Sequence, residues 1–238
     1  MPASAHQTFL RPHIIQPLLL LLAVTSLIGI FDLDRALADF LYHLEGGQWA
    51  WRNTWLAEVF FHRGGRTLSQ LLGIAVIGAF AWSLIHVDWR PHRRALGYLA
   101  LALLGGTVLV SALKASLAIS CPWDFQRYGG KLVYAGVMEQ LLQRSGKGCF
   151  PAGHASAGYV WVAIYFFGLH YQARWRKLAL GAALLAGLTF GLAQQFRGAH
   201  FLSHDVWTLA VCWFVSAGLY QLMLNRAPAT EVIRHEFA

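Results

Sequence analysis

Six stretches of this chain are long and apolar enough, or nearly so, to cross a lipid bilayer. That constrains its fold more than any other feature. They are Ile14–Ile30, Leu68–Ile85, Ala95–Leu113, Ala155–Leu169, Leu178–Ala193 and Val206–Leu224. A hydrocarbon core about 30 Å thick takes roughly 20 helical residues, with a range of about 17–25. The fourth and fifth stretches fall short, so flanking residues are expected to complete them or neighbouring helices to cover their ends. Length and Leu/Ala content favour helices over strands throughout. Composition agrees: 57% of the 238 residues are hydrophobic and only 13% are charged, with a mean hydropathy of +0.46. An ordinary soluble domain is about 45–50% apolar and about 25% charged. A disordered chain is excluded, and a soluble enzyme is not expected. The expectation is one all-α unit over 1–238, a membrane bundle of six helices. The first stretch follows Arg11 as a signal peptide would, but Phe31-Asp32-Leu33-Asp34 comes next instead of a small-residue cleavage site, so it reads as a retained span.

The charges give an orientation. The chain carries 19 Lys+Arg against 11 Asp+Glu, a net charge of +8. The basic residues form no run that would suit nucleic acid; they lie between apolar segments, as in loops facing an anionic membrane surface. Arg90, Arg93 and Arg94 follow the second stretch, and Arg174, Arg176 and Lys177 follow the fourth. Short loops dense in Lys and Arg stay in the cytoplasm, so both termini are expected inside and the connections after stretches one, three and five outside. The long outer connection, Asp32–Thr67, mixes Arg35, Arg52, Arg63 and Arg66 with Asp32, Asp34, Asp39, Glu45 and Glu58, and long loops obey the charge rule poorly. Its Trp49, Trp51, Trp55, Phe60 and Phe61 read as a segment lying in the membrane interface.

Three stretches break the apolar pattern, and all three fall on the expected outer face. Lys114 ends the third span, ahead of Cys121-Pro122-Trp123-Asp124. A lysine costs about 2.5–3.5 kcal/mol at mid-membrane and less near the interface, so a snorkelling helix-end lysine is the plain alternative. Phe150-Pro151-Ala152-Gly153-His154 opens the fourth span with a turn whose N–H groups suit an anion. Arg197-Gly198-Ala199-His200-Phe201-Leu202-Ser203-His204-Asp205 precedes the sixth. Cations, N–H groups and histidines on one membrane face suit phosphate-ester chemistry. The cations bind and stabilise phosphoryl oxygens, one imidazole attacks phosphorus, and another protonates the leaving oxygen. Histidine serves in both roles because its pKa of about 6.5 allows either protonation state near neutrality.

In these stretches the chain resembles the type-2 phosphatidic acid phosphatase superfamily of membrane lipid phosphatases. That family carries Lys-x6-Arg-Pro, then Pro-Ser-Gly-His, then Ser-Arg-x5-His-x3-Asp, on a six-helix bundle. Lys114-x6-Cys121-Pro122, Pro151-Ala152-Gly153-His154 and Gly198-Ala199-His200 match in order and spacing, within a core from Lys114 to Val215. The resemblance implies that Lys114 and the Gly153 N–H bind phosphate, that His154 is the general acid, and that His200 is the nucleophile of a phosphohistidine intermediate. It implies no metal and no cofactor. The departures are Cys121 for the first-motif Arg, Ala152 for the Ser, Gln194 for the third-motif Arg and His204 for the Asp. Arg197, one turn after Gln194, is expected to reach the same phosphate, and Arg127 is a candidate for the missing first-motif Arg. Asp205 is favoured as the acceptor that orients His200, with His204 as a further contact or phosphate ligand; the alternative for Asp205 is a charge that complements the helix end.

The expected activity is hydrolysis of a lipid phosphate or diphosphate at the outer face of a bacterial-type inner membrane. The substrate candidates are undecaprenyl diphosphate, phosphatidylglycerophosphate, phosphatidic acid and the lipid A phosphates, which the residues do not rank. The expected partners are that substrate and the bilayer, with no nucleic acid and no obligate protein partner. A phosphotransferase passing the phosphoryl group to another lipid is a variant, and an inactive relative is another. A metal-binding membrane protein or transporter using His154, His200, His204 and Asp205 is the runner-up. Transporter sites lie near the midplane, whereas these residues lie at span ends. No mid-span His pair suits haem. Cys121 and Cys149 bracket the outer loop on the side where disulfides form; a bridge or two unpaired thiols are both open, while Cys212 lies inside a span and is expected to be free.

Overall fold

The computed structural model describes residues 9–55, 64–144 and 146–225. The chain runs through α1 (Arg11–Ile30), α2 (Leu33–Leu44), α3 (Gly65–Ile85), α4 (Arg93–Ser116) and α5 (Val137–Gln143). Next come α6 (Gly153–Tyr159), a 3₁₀ turn (Val160–Val162) and α7 (Ala163–His170). The last two helices are α8 (Arg176–Phe196) and α9 (Leu202–Met223). Among the described residues, five helical segments are long and apolar enough to cross a membrane: α1, α3, α4 with the short turn before it, α8 and α9. The fourth expected span is not one helix. It is α6, the 3₁₀ turn and α7 in succession, so six uninterrupted helices give way to five and a broken one.

The core lies where α4, α6, α7, α8 and α9 meet. Tyr98, Leu99, Ala102 and Leu103 of α4 pack there with Phe166, Cys212, Ala217 and Tyr220. Tyr98 is fully buried, and its hydroxyl reaches the carbonyls of Ala163 and Ser216, which joins α4 to α7 and α9. Small residues let the helix backbones approach, as membrane bundles require. A Cβ on Gly158 would stand 2.2 Å from the Gly187 backbone nitrogen, so α6 and α8 touch main chain to main chain. By contrast, α1 buries only Leu21 and Ile28, and α3 only Ser83. Their exposed Leu19, Leu20, Leu71 and Ile74 form an apolar belt that suits hydrocarbon rather than water.

One end of the bundle carries the basic loops. There Arg93 donates to the Ser83 carbonyl, and His92 meets the Tyr171 hydroxyl. The opposite end carries a cap made of α2, the 45–55 loop, the 120s turns and α5. A bidentate pair between Arg127 and Asp39, at 2.6 and 2.5 Å, ties the 120s to α2. Cys121 and Cys149 are joined by a disulfide with Cα atoms 5.3 Å apart; Cys212 is free and buried.

The long outer connection differs from the expected interfacial segment. Part of it is helix α2, which turns Ala38 and Leu41 inward. Trp49 packs between Tyr42 and Tyr128 rather than into a membrane surface. Trp51 and Trp55 are exposed; Phe60 and Phe61, with Glu58 and Arg63, lie outside the described residues.

Candidate active site

The site forms at the capped end, where the end of α4, the start of α6 and the α8–α9 turn converge. Lys114 sits on the last turn of α4. Its Nζ lies 3.8 Å from where a Cβ on Gly153 would stand, so the ammonium faces the first residue of α6. His154 follows Gly153 in the same turn, after a cis Phe150–Pro151 peptide. His200 is buried in the α8–α9 turn. Burial pushes its pKa well below the ordinary 6.5, and the neighbouring His204, Lys114 and His154 push it the same way. The neutral form is therefore favoured. Lys114, Gly153, His154, His200 and His204 are thus brought together from three separated stretches.

His200 Nδ1 lies 3.2 Å from His204 Nδ1. The geometry favours His204 over the expected Asp205 as the side chain that faces His200. The helix is regular from Leu202, so residue i+4 from His200 faces it and the next residue is turned about 100° away. Asp205 points instead at α8, where it accepts a hydrogen bond from Gln195 Nε2 and its carboxyl packs on Gly191. No early bulge brings it round.

Arg197 is buried and directs Nη1 to Gln194 Oε1 at 3.3 Å, so its guanidinium reaches the side chain that stands where the family has arginine. Its Nε donates to the Arg52 carbonyl at 3.1 Å. Arg127 has its guanidinium committed to Asp39, which leaves its expected role at the phosphate without geometric support. Cys121, where the first-motif Arg would stand, is half of the disulfide.

Three supporting residues escaped the sequence reading. Thr208, one turn after His204, donates to the His204 carbonyl at 2.7 Å and accepts the Ala152 N–H at 2.8 Å, joining the α6 turn to the His204 turn. Its spacing from His204 was the only available signal. Asp34 of α2 accepts from the Ser203 N–H at 2.8 Å and from the Ser203 hydroxyl at 2.6 Å, capping α9 from outside. Burial raises its pKa, and the two Ser203 bonds oppose the shift. Gln195 holds Asp205. Gly198 fits for two reasons: its φ is +68°, and a Cβ would stand 2.3 Å from the Trp49 ring.

Among the described residues, a groove and a second pocket border the site. A groove of about 720 Å³ runs between α3, α4 and α6, with Gly153 and His154 on its wall and Ile74, Ile77, Leu104 and Val108 along its apolar part. A second pocket of about 630 Å³ is lined by Lys114, Lys147 and Gly148. Ser111 borders both.

The described residues define a bundle of apolar helices with a lysine and three histidines gathered at one end. Residues 95–228, more than half of the chain, match the PAP2 superfamily. The chain belongs to that superfamily, and membership makes its function of the phosphatase type. Neither a comparison with curated proteins nor one with solved structures gives a match.

Proposed function

We propose that this chain is a metal-independent lipid phosphatase that works through a phosphohistidine on His200. The observation that carries this reading is the meeting of Lys114, His154, His200 and His204 beside a groove with an apolar floor. The reaction uses the tautomer in which His200 Nδ1 carries the hydrogen shared with His204 Nδ1, 3.2 Å away, which leaves Nε2 as the attacking atom. His200 Nε2 attacks phosphorus, and the bond to the leaving oxygen breaks. His154 gives that oxygen a proton, then takes one from the water that hydrolyses the phosphohistidine. Lys114, the Gly153 N–H and Arg197 bind the phosphoryl oxygens. The basic loops at the far end favour an outward-facing site on a bacterial-type inner membrane, with both termini inside. His204 is the orienting residue, and Asp205 braces α9 against α8.

The direct test is phosphate release from lipid monophosphates and diphosphates by the purified protein, with and without chelator. Release that survives chelator and disappears in His200→Gln is expected. Release abolished by chelator and restored by one divalent metal would favour the metal-site reading instead.

A further inference from the structure

The Cys121–Cys149 disulfide, with Cα atoms 5.3 Å apart, joins two stretches that both touch the turn carrying His200. On one side, Cys121 opens the short 3₁₀ turn Pro122–Asp124. The Trp123 N–H in that turn donates to the Gly198 carbonyl at 3.0 Å, two residues before His200. On the other side, Cys149 leads directly into Phe150-Pro151-Ala152-Gly153-His154. The Cys149 carbonyl is in hydrogen-bonding range of the His200 ring. The Phe150 ring stands edge-on to His204, with centroids 5.2 Å apart. The two stretches therefore grip the His200 turn from two sides, one by its main chain and one by its imidazole. They are tied to each other by the disulfide, by the Cys149 N–H donated to the Ile119 carbonyl at 2.6 Å, by the Gly146 N–H donated to the Ala118 carbonyl at 2.9 Å, and by an exposed Lys147–Asp124 contact at 3.4 Å. Of these ties the disulfide alone is covalent, and both of its residues are buried.

A nucleophilic imidazole gains positive charge as its nitrogen bonds to phosphorus. Here the side chain that faces it is an imidazole where the family has a carboxylate, so a main-chain carbonyl beside the ring has more charge to stabilise. A dipole does this well only when it is already held in place as the charge develops. We propose that the Cys121–Cys149 disulfide is a positioning element for His200, closing the clamp that keeps the Cys149 carbonyl at the imidazole and the His200 turn in register with Gly153 and His154. This rests on the phosphatase reading above and adds a condition to it: the bridge must be formed. Oxidation of the two thiols raises activity, and reduction lowers it. The exchange balances. A dithiol breaks the S–S bond, Cys121 and Cys149 become thiols, and the dithiol becomes a cyclic disulfide; oxidised glutathione reverses the change and leaves as two thiols. Cys121 stands at the first-motif arginine position, so the chain has a covalent tie where the family has a charge.

The test measures kcat and KM for phosphatidic acid or farnesyl diphosphate, whichever the wild type turns over faster. The protein is assayed before and after dithiothreitol, alongside Cys121→Ser, Cys149→Ser and the double variant. Intact mass after alkylation reports the bridge, and the melting temperature reports the fold. Opening the bridge is expected to lower kcat about 10- to 100-fold, the worth of one hydrogen bond to a charged group, with KM within a few-fold. Oxidised glutathione is expected to restore the reduced wild type and not the serine variants. The double variant is expected to be no worse than either single one, as two halves of one bridge require. Reducing the already folded wild type keeps the test open should a serine variant fail to fold. A bridge shown open by mass with kcat unchanged overturns the inference. So does a loss of kcat that only tracks a loss of folded protein, as a merely stabilising bridge would give. Phosphate release from neither lipid by the oxidised wild type would instead sink the phosphatase reading itself, a result distinct from both.

Discussion

In the proposed reaction the contact between His200 and His204 sets which ring nitrogen of His200 attacks. A nucleophilic imidazole needs its second nitrogen held, and here a neutral imidazole holds it where the family has a carboxylate. His204→Ala is therefore expected to lower kcat by roughly 10²–10⁴, by analogy with triad orienting residues. Asp205→Asn keeps an acceptor for Gln195 and is expected to stay within a few-fold of wild type. Steady-state kinetics on both variants check this, and the reverse order of severity would restore Asp205 as orienter. The pH dependence has a definite sign. Because the His200 pKa is depressed, its attacking form persists as pH falls through 6.5 and is lost only below it. The acid limb of kcat/KM is expected below 6.5; a limb at or above 6.5 would contradict the buried, cation-flanked setting of His200. Of the site, the sequence made legible whatever had a motif: Lys114, Gly153, His154, His200. It did not reveal which of two adjacent residues faces His200. That depends on where α9 begins, and Asp34, 169 residues away, holds that start.

Helix α9 shows how the turn that carries the candidate site is held by elements remote in sequence. The first residue outside the helix is Phe201, and Ser203, in the first turn, gives both its N–H and its hydroxyl to Asp34 of α2. Asp34→Ala leaves those donors without this acceptor, at a cost of about 1–2 kcal/mol by comparison with other helix caps. A lower melting temperature in detergent and a lower kcat are expected, with Asp34→Asn between alanine and wild type. No change in either quantity would make α2 a bystander. The apolar stretches were readable because hydrocarbon thickness sets their length. Helices α2 and α5 were not, because each is short and owes its packing to partners far along the chain: Phe125, Tyr128 and Phe201 beside Ala38 for α2, and the Ser120 N–H accepted by Gln140 for α5. The break between α6 and α7 was equally hidden, since Val160-Trp161-Val162 continues the apolar run.

Taken together, the bundle separates a basic end from a capped end that holds the site, with an apolar belt between them. That arrangement predicts a sided protein. With Cys212 replaced, Lys147→Cys is expected to react with an impermeant thiol reagent added outside intact cells, and Arg174→Cys to react only after lysis. The opposite pattern would turn the site to the cytoplasm. The groove along α3 borders His154, and the pocket at Lys114 and Lys147 opens separately. The proposed reaction has one bond to be broken and one nitrogen, His200 Nε2, that takes the phosphoryl group. Rapid quenching with a lipid phosphate labelled in its terminal phosphoryl group tests that directly. The wild type is expected to give a protein-bound label that is stable to alkali and lost in acid, and His200→Gln to give none. A label that persists in His200→Gln, or phosphate release with no phosphoenzyme at any quench time, would contradict a reaction through His200.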